Sequence, residues 1–272
     1  MAAFQSHHDD EQQRQAHCEK HGAYTSHRID YMRDRWTGCT KCVEEEHVAQ
    51  KAKQLAAEKE DLRRRRMTFS GLQGRFAEAT FDNFKATTAE QRAVLNACRD
   101  FARTVTWNSG SGLWLIGPPG TGKTHLASAV VRHVIEERDA TAEIYTSREI
   151  IRKLRAMWGN RGGREDRDWL DRPQTEEAMI DDLGRTPLLV IDEAGVGFGT
   201  EAEMVQLYDV VDLRYKLRRP TVLVSNLAAE DLKTALGDRA YDRLREGAKM
   251  LTCKWKSHRG APPSPHGLEA VK

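Results

Sequence analysis

The stretch Leu113-Trp-Leu-Ile-Gly117-Pro118-Pro119-Gly120-Thr121-Gly122-Lys123-Thr124-His125-Leu126 decides the fold: an apolar run, a glycine-rich turn and the opening of a helical segment. Gly117 to Thr124 fits G-x-x-x-x-G-K-[ST], and it lies between an expected strand at 113 to 116 and an expected helix at 125 to 137. Glycines at these positions let the backbone curl so that N–H groups converge on phosphate oxygens, and the helix N-terminus adds the positive end of its dipole. Lys123 is expected to reach the β- and γ-phosphates of ATP, and Thr124 to offer a hydroxyl to Mg²⁺. Downstream, short apolar strands are expected at 143 to 145, 188 to 191, 222 to 224 and 251 to 255, with helical segments between them. That alternation predicts an α/β domain, a mostly parallel sheet covered on both faces.

The second half of a nucleotide site is an acid at the end of a neighbouring strand, and Leu188-Leu-Val-Ile-Asp192-Glu193 supplies two. Asp192 is expected to hold Mg²⁺ through its waters. Glu193 is expected to orient or deprotonate the attacking water.

The chain has 272 residues, 43 basic and 41 acidic, a formal charge of +2 and 39% hydrophobic residues. This is room for about two domains. The mean hydropathy of −0.69 and the lack of any long apolar run exclude a membrane-spanning helix. The polar start MAAFQSHHDDEQQRQ has no apolar core of a signal peptide, so a cytoplasmic, reducing location without disulfides is expected. With so little net charge, any binding to nucleic acid has to come from a local basic patch.

Composition divides the chain into a disordered start at 1 to 16, a small module with a linker helix at 17 to 67, an α/β domain at 68 to 260 and a disordered tail at 261 to 272. The small module holds Cys18-x2-His21, then 17 residues, then Cys39-x2-Cys42. Two short chelating turns at this separation can close a tetrahedral Zn²⁺ shell, structural because no position stays open, and the metal would supply folding energy that so short a segment lacks. The alternatives are free thiols beside a histidine, or His17 or His27 in place of His21. Cys98 and Cys253 are isolated and read as core residues. Residues 43 to 66 contain no Gly or Pro and are rich in helix formers. Val48, Ala52, Leu55 and Leu62 make a thin stripe broken by Lys59, which suits a solvated linker or a partner-binding face.

GPPGTGKTHL, LLVIDEAG and TVLVSN ending in Asn226, together with ATFDNF (79 to 84), GDRAYDRLREG (237 to 247) and WKSHRG (255 to 260), resemble the AAA+ ATPases, and among them the DnaC/DnaI-type replicative helicase loaders. The resemblance covers about residues 68 to 260, and the cysteine-bearing start is also similar to that of the loaders. It implies an AAA+ core with a five-stranded parallel sheet between helices. It places Asn226 at the sensor-1 position, Arg243 as the arginine finger given to a neighbouring subunit, and Arg259 as the sensor-2 arginine of the same subunit. The family usually carries an aromatic residue where His258 stands, and Arg239 and Arg245 lie close to Arg243.

A finger supplied in trans implies self-association, with the ATP site at a subunit interface. In the loaders a zinc-containing N-terminal domain and the following helix contact the helicase. By that resemblance the partners are a hexameric replicative DNA helicase and single-stranded DNA. The family's DNA-gripping insertion would fall at 147 to 186, where Arg152, Arg155, Trp158 and Arg161 offer cations for phosphates and a ring for stacking, although cations on an exposed helix are commonly only solvated. The rival readings are an IstB-type transposition helper, expected to lack the metal site, and a nucleotide-switched adaptor that does not hydrolyse ATP.

Overall fold

The computed structural model describes residues 13–29, 35–157, 175–196 and 201–258. The chain forms two units, Met1–Leu62 and Arg63–Lys272. In the first, β1 (Gln13–Cys18) pairs antiparallel with β2 (Gly22–His27), from Gln13 opposite His27 to Cys18 opposite Gly22. The expected disorder up to residue 16 is therefore corrected, because residues 13 to 16 belong to β1. Their side chains are polar, but a main-chain ladder needs no apolar residue to form. Arg28 bridges Trp36, and the Arg14 guanidinium lies 4.5 Å from the Trp36 ring centre.

Helix α1 (Thr40–Phe69) is longer than the expected 43 to 66 and buries none of its residues. Val48, Leu55 and Leu62 of the thin stripe are exposed. No helix among the described residues is long and apolar enough to cross a membrane.

The second unit is built on a five-stranded sheet in which every pairing is parallel. Its strands are β3 (Gly112–Ile116), β4 (Ala142–Thr146), β5 (Leu188–Asp192), β6 (Thr221–Ser225) and β7 (Ala248–Thr252), in the order β4-β5-β6-β3-β7. Period-two alternation sends Leu113, Leu115, Val190 and Val222 to one face and Trp114, Ile116, Leu189, Ile191 and Leu223 to the other. The first face packs on α2 (Ala89–Thr104) and α3 (Lys123–Arg138). The second packs on α4 (Ser147–Ala156), α5 (Glu176–Arg185), α6 (Glu201–Lys216), α7 (Ala229–Leu236) and α8 (Asp238–Arg245). Cys98 and Cys253 are fully buried in the first core. Capping boxes start α2 and α4: Thr88 with Gln91, and Thr146 with Glu149.

The last strand differs from the expected 251 to 255. It starts three residues earlier, where Gly112 pairs with Ala248, and stops at Thr252. As an edge strand it exposes Lys249 and Met250, so its first half lacks the apolar signal of the central strands. Cys253 and Trp255, apolar enough to suggest a strand, instead pass beneath the phosphate-binding loop.

Candidate nucleotide site and metal centre

Neighbouring strands β5, β6 and β3 end side by side, so their C-terminal ends deliver Asp192, Asn226 and Gly117 to one edge of the sheet, the place where open α/β sheets bind ligands. Two positions of the loop show why it needs glycine there. A Cβ at Gly117 (φ +142°) would lie 2.3 Å from the Cys253 carbonyl oxygen, and one at Gly120 (φ +81°) 1.9 Å from Ser257 Oγ. The residues after β7 brace the loop from outside. Trp255 Nε1 donates to the Thr121 carbonyl at 3.0 Å, and the His258 N–H donates to the Gly120 carbonyl at 2.7 Å. Lys123 is buried and folds back, its Nζ donating to the carbonyls of Gly117 at 2.7 Å and Pro118 at 2.8 Å.

Across the cleft, Asp192 is buried and accepts the Glu193 main-chain N–H at 2.7 Å. Burial raises its carboxyl above the ordinary aspartate value, against the Glu193 N–H and the Thr124 hydroxyl, which both favour the anion. Two hard oxygen donors meeting in this way suit Mg²⁺. Glu193 is exposed toward the cleft and has φ +50°, a backbone conformation that non-glycine residues rarely adopt. Surrounding hydrogen bonds hold this turn: Ser147 Oγ donates to the Glu193 carbonyl at 3.1 Å, Ser225 Oγ to that of Ala194 at 2.7 Å, and the Ala194 N–H to that of Val224 at 2.9 Å.

The resulting cavity is about 430 Å³, the size of a cofactor site. It is lined by Pro119, Gly120, Gly122, Lys123, Thr124, His125, Asp192, Glu193, Asn226 and His258, and also by Arg75 and Phe76. Sequence reasoning missed the last two. They end a short 3₁₀ turn (Gly74–Phe76), and the Arg75 guanidinium lies 4.9 Å from the Phe76 ring centre. The motif ATFDNF also has a place: Phe84 packs edge-on to His125 at 5.5 Å and to His258 at 6.1 Å. His258 Nε2 is also 3.3 Å from Gln91 Nε2.

In the first unit, the donor atoms of Cys18, His21, Cys39 and Cys42 all lie within 4.8 Å of one another. His21 Nδ1 is 3.8 Å from Cys18 Sγ, 3.6 Å from Cys39 Sγ and 3.3 Å from Cys42 Sγ, and the sulfurs of Cys18 and Cys42 are 3.5 Å apart. Tetrahedral bonds near 2.3 Å give ligand separations of about 3.7 Å, so this soft donor set fits Zn²⁺. Cys18 is brought down to about 6, mainly by the main-chain N–H groups of His21 and Lys20, while its hydrogen bond to Cys42 helps push that thiol up to about 11. His21 Nε2 lies 3.0 Å from Glu45 Oε1, the outer partner that fixes a ligating imidazole, and Glu45 also pairs with Lys20.

The model of the IstB-like ATP binding protein family matches residues 40–261. The chain belongs to this family. Among curated relatives of this IstB-like protein is the replicative helicase loader DnaC of Buchnera aphidicola subsp. Acyrthosiphon pisum (strain APS), 32% identical over 191 residues, or 70% of this chain and 73% of the relative. DnaC of Escherichia coli (strain K12) is 30% identical over 191 residues with the same coverage. Among solved structures, the DnaC helicase loader superposes with a TM-score of 0.57 at 22% identity, covering 67% of this chain and all of the other. DnaI gives 0.56 at 19% identity, covering 72% of this chain and all of the other. These neighbours share the fold described above.

Two further expectations for the IstB-like domain concern its cations. Arg152 and Arg155 stand on the exposed side of α4, and Arg155 Nη2 is paired at 3.0 Å with Glu203 of α6. Trp158, Arg161 and Arg259 lie outside the described residues. Arg243, on α8, is not among the residues lining the cavity.

The raised Asp192 carboxyl carries a stability prediction for the nucleotide-free protein. A carboxyl raised on folding favours the folded state at low pH and loses that contribution as pH rises above the ordinary aspartate value. At neutral pH the buried anion is a cost that Asp192→Asn removes, so the variant is expected to melt higher than the wild type. In thermal melts without nucleotide or Mg²⁺, this gap is expected to shrink at mildly acidic pH. A wild-type protein that melts higher at neutral pH would contradict the account.

Proposed function

We propose that this chain is an ATP-hydrolysing AAA+ protein that loads a hexameric replicative DNA helicase onto single-stranded DNA, working in a self-associated complex. The observation that carries this reading is the match to relatives named replicative helicase loaders, 73% of whose length the chain covers. A cleft that brings together the loop, Lys123, Thr124, Asp192, Glu193 and Asn226, each with an assignable part in phosphoryl transfer, supports it.

The N–H groups of the loop, with Lys123, hold the β- and γ-phosphates once Lys123 exchanges the carbonyls of Gly117 and Pro118 for phosphate oxygens. Thr124 and Asp192 would hold Mg²⁺, which when bound neutralises charge developing on those phosphates. Glu193 takes a proton from water as its oxygen attacks the γ-phosphorus. The bond to the β-phosphate oxygen then breaks, giving ADP and phosphate. Asn226 positions that water or the γ-phosphate. Arg259 from the same subunit and Arg243 from a neighbour offset charge on the equatorial oxygens, as a planar guanidinium does well.

Cys18, His21, Cys39 and Cys42 would hold a structural Zn²⁺, and the module they organise, with the exposed side of α1, is the helicase-binding part. Arg152, Arg155, Trp158 and Arg161 contact DNA. The second reading, an IstB-type transposition helper, is favoured by the description of the matching family model, but the cysteine cluster argues against it.

Capture of purified replicative helicase by the full chain and by a chain starting at Arg63 tests the proposal. The full chain is expected to retain the helicase and the shorter one to lose it. Zinc without helicase capture in the full chain would reject the loader and move the assignment to a transposase partner.

A further inference from the structure

Arg243 has a holder in its own subunit. Tyr208, Asp212 and Tyr215 follow one another on α6 at i, i+4 and i+7, which puts them along one stripe of the helix. The Arg243 guanidinium lies against that stripe. Its centre is 4.7 Å from the Tyr208 ring and 5.5 Å from the Tyr215 ring, and its Nη1 contacts both the Tyr208 hydroxyl and the Asp212 carboxylate. Asp212 also meets the exposed Lys216 Nζ at 2.7 Å, a solvent-screened pair, and Tyr215 is fixed by its hydroxyl, which donates to Glu246 at 2.8 Å. The Arg243 side chain keeps 27% of its surface exposed and Asp212 keeps 17%, so the pair is shielded from solvent but open at one side. By contrast, Arg239 and Arg245 of the same helix are exposed.

These contacts compete with the role assigned to Arg243. A guanidinium acts on a phosphate through its positive charge and its N–H fork, and Asp212 neutralises the first while Tyr208 and Asp212 occupy part of the second. Both tyrosine faces add attraction for the cation. We propose that Tyr208, Asp212 and Tyr215 retain Arg243 within its own subunit, and that the phosphates of a neighbouring subunit's nucleotide must outcompete Asp212 before the arginine enters that site. The holder thereby sets the protein concentration at which assembly turns on hydrolysis. This inference rests on the reading of Arg243 as a residue given in trans.

The experiment is steady-state ATP hydrolysis by the full chain, measured across protein concentrations. Asp212→Asn keeps the shape and removes the charge, and Tyr208→Phe removes only the hydroxyl. Both are expected to reach half-maximal activity at a lower concentration, by about tenfold for Asp212→Asn, the change that one charge-assisted contact of ~1.4 kcal/mol gives. A merely structural contact would lower activity when cut, not shift its onset downward. Lys216→Ala, which cuts only the exposed pair, is expected to leave the onset in place. An unchanged or raised onset in both Asp212→Asn and Tyr208→Phe, with Arg243→Ala inactive, overturns the holder and leaves the trans role standing. Full activity in Arg243→Ala overturns the trans role and the holder with it.

Discussion

Glu193→Gln lowers steady-state phosphate release by about 10²–10⁴-fold, the contribution of a positioned general base, while the affinity for ATP stays within about threefold of the wild type. The two effects separate because of how the residue is held. Its side chain is exposed and lines the cleft, whereas its backbone, at φ +50°, is fixed by the hydrogen bonds of Ser147 to its carbonyl and of its own N–H to Asp192. Glutamine has the same shape and leaves those main-chain bonds in place, so the turn, the Mg²⁺-holding pair and the loop remain formed. What is lost is the ability to take a proton from water. Steady-state phosphate release, beside binding of a fluorescent ATP analogue, reads both quantities. Hydrolysis at the wild-type rate would mean that Glu193 carries no catalytic role.

The centre of the site was legible because its chemistry and its fold signal coincide in the sequence. Leu113 to Ile116 and Leu188 to Ile191 are buried on both faces, so they read as continuous apolar runs, and the loop and the acids follow them directly. Arg75 and Phe76 could not be found in this way. They reach the cavity from a short turn remote in sequence, and no local pattern marks which surface arginine faces a nucleotide. For the same reason Asp212 and Tyr208 gave no signal, since their meaning depends on α6 meeting α8. The edge strand β7 was misplaced because solvent on one side removes the apolar run, whereas Cys253 and Trp255, which support the loop, mimic one. At the other end, the polar composition of residues 13 to 16 suggests disorder, yet β1 is held by its ladder to β2 beside the cysteine cluster.

That cluster carries the second large effect. Cys39→Ser is expected to abolish stoichiometric zinc binding and to unfold the β1–β2 hairpin, with helicase capture lost and ATP binding by Arg63–Lys272 retained. A two-stranded hairpin alone is marginal in water, and β1 with β2 buries almost nothing: of their residues only Ser26 is fully buried. A structural Zn²⁺ site contributes about 10–16 kcal/mol of apparent binding energy, well above what such a hairpin gains from its own contacts. Cys39 is the most informative ligand to change, because it is buried where the others are partly exposed, and serine matches its shape but is a poor ligand for zinc. Glu45 gives an intermediate test of the same centre. It holds the imidazole of His21 without touching the metal, so Glu45→Gln is expected to weaken zinc about 10–100-fold and leave the module folded at saturating zinc. Zinc content by mass spectrometry and protease cleavage within residues 13 to 42 measure the outcome. A Cys39→Ser chain that keeps its zinc and resists cleavage would show that the hairpin does not depend on this metal centre, and the helicase-binding role of the module would have to rest on the exposed side of α1 alone.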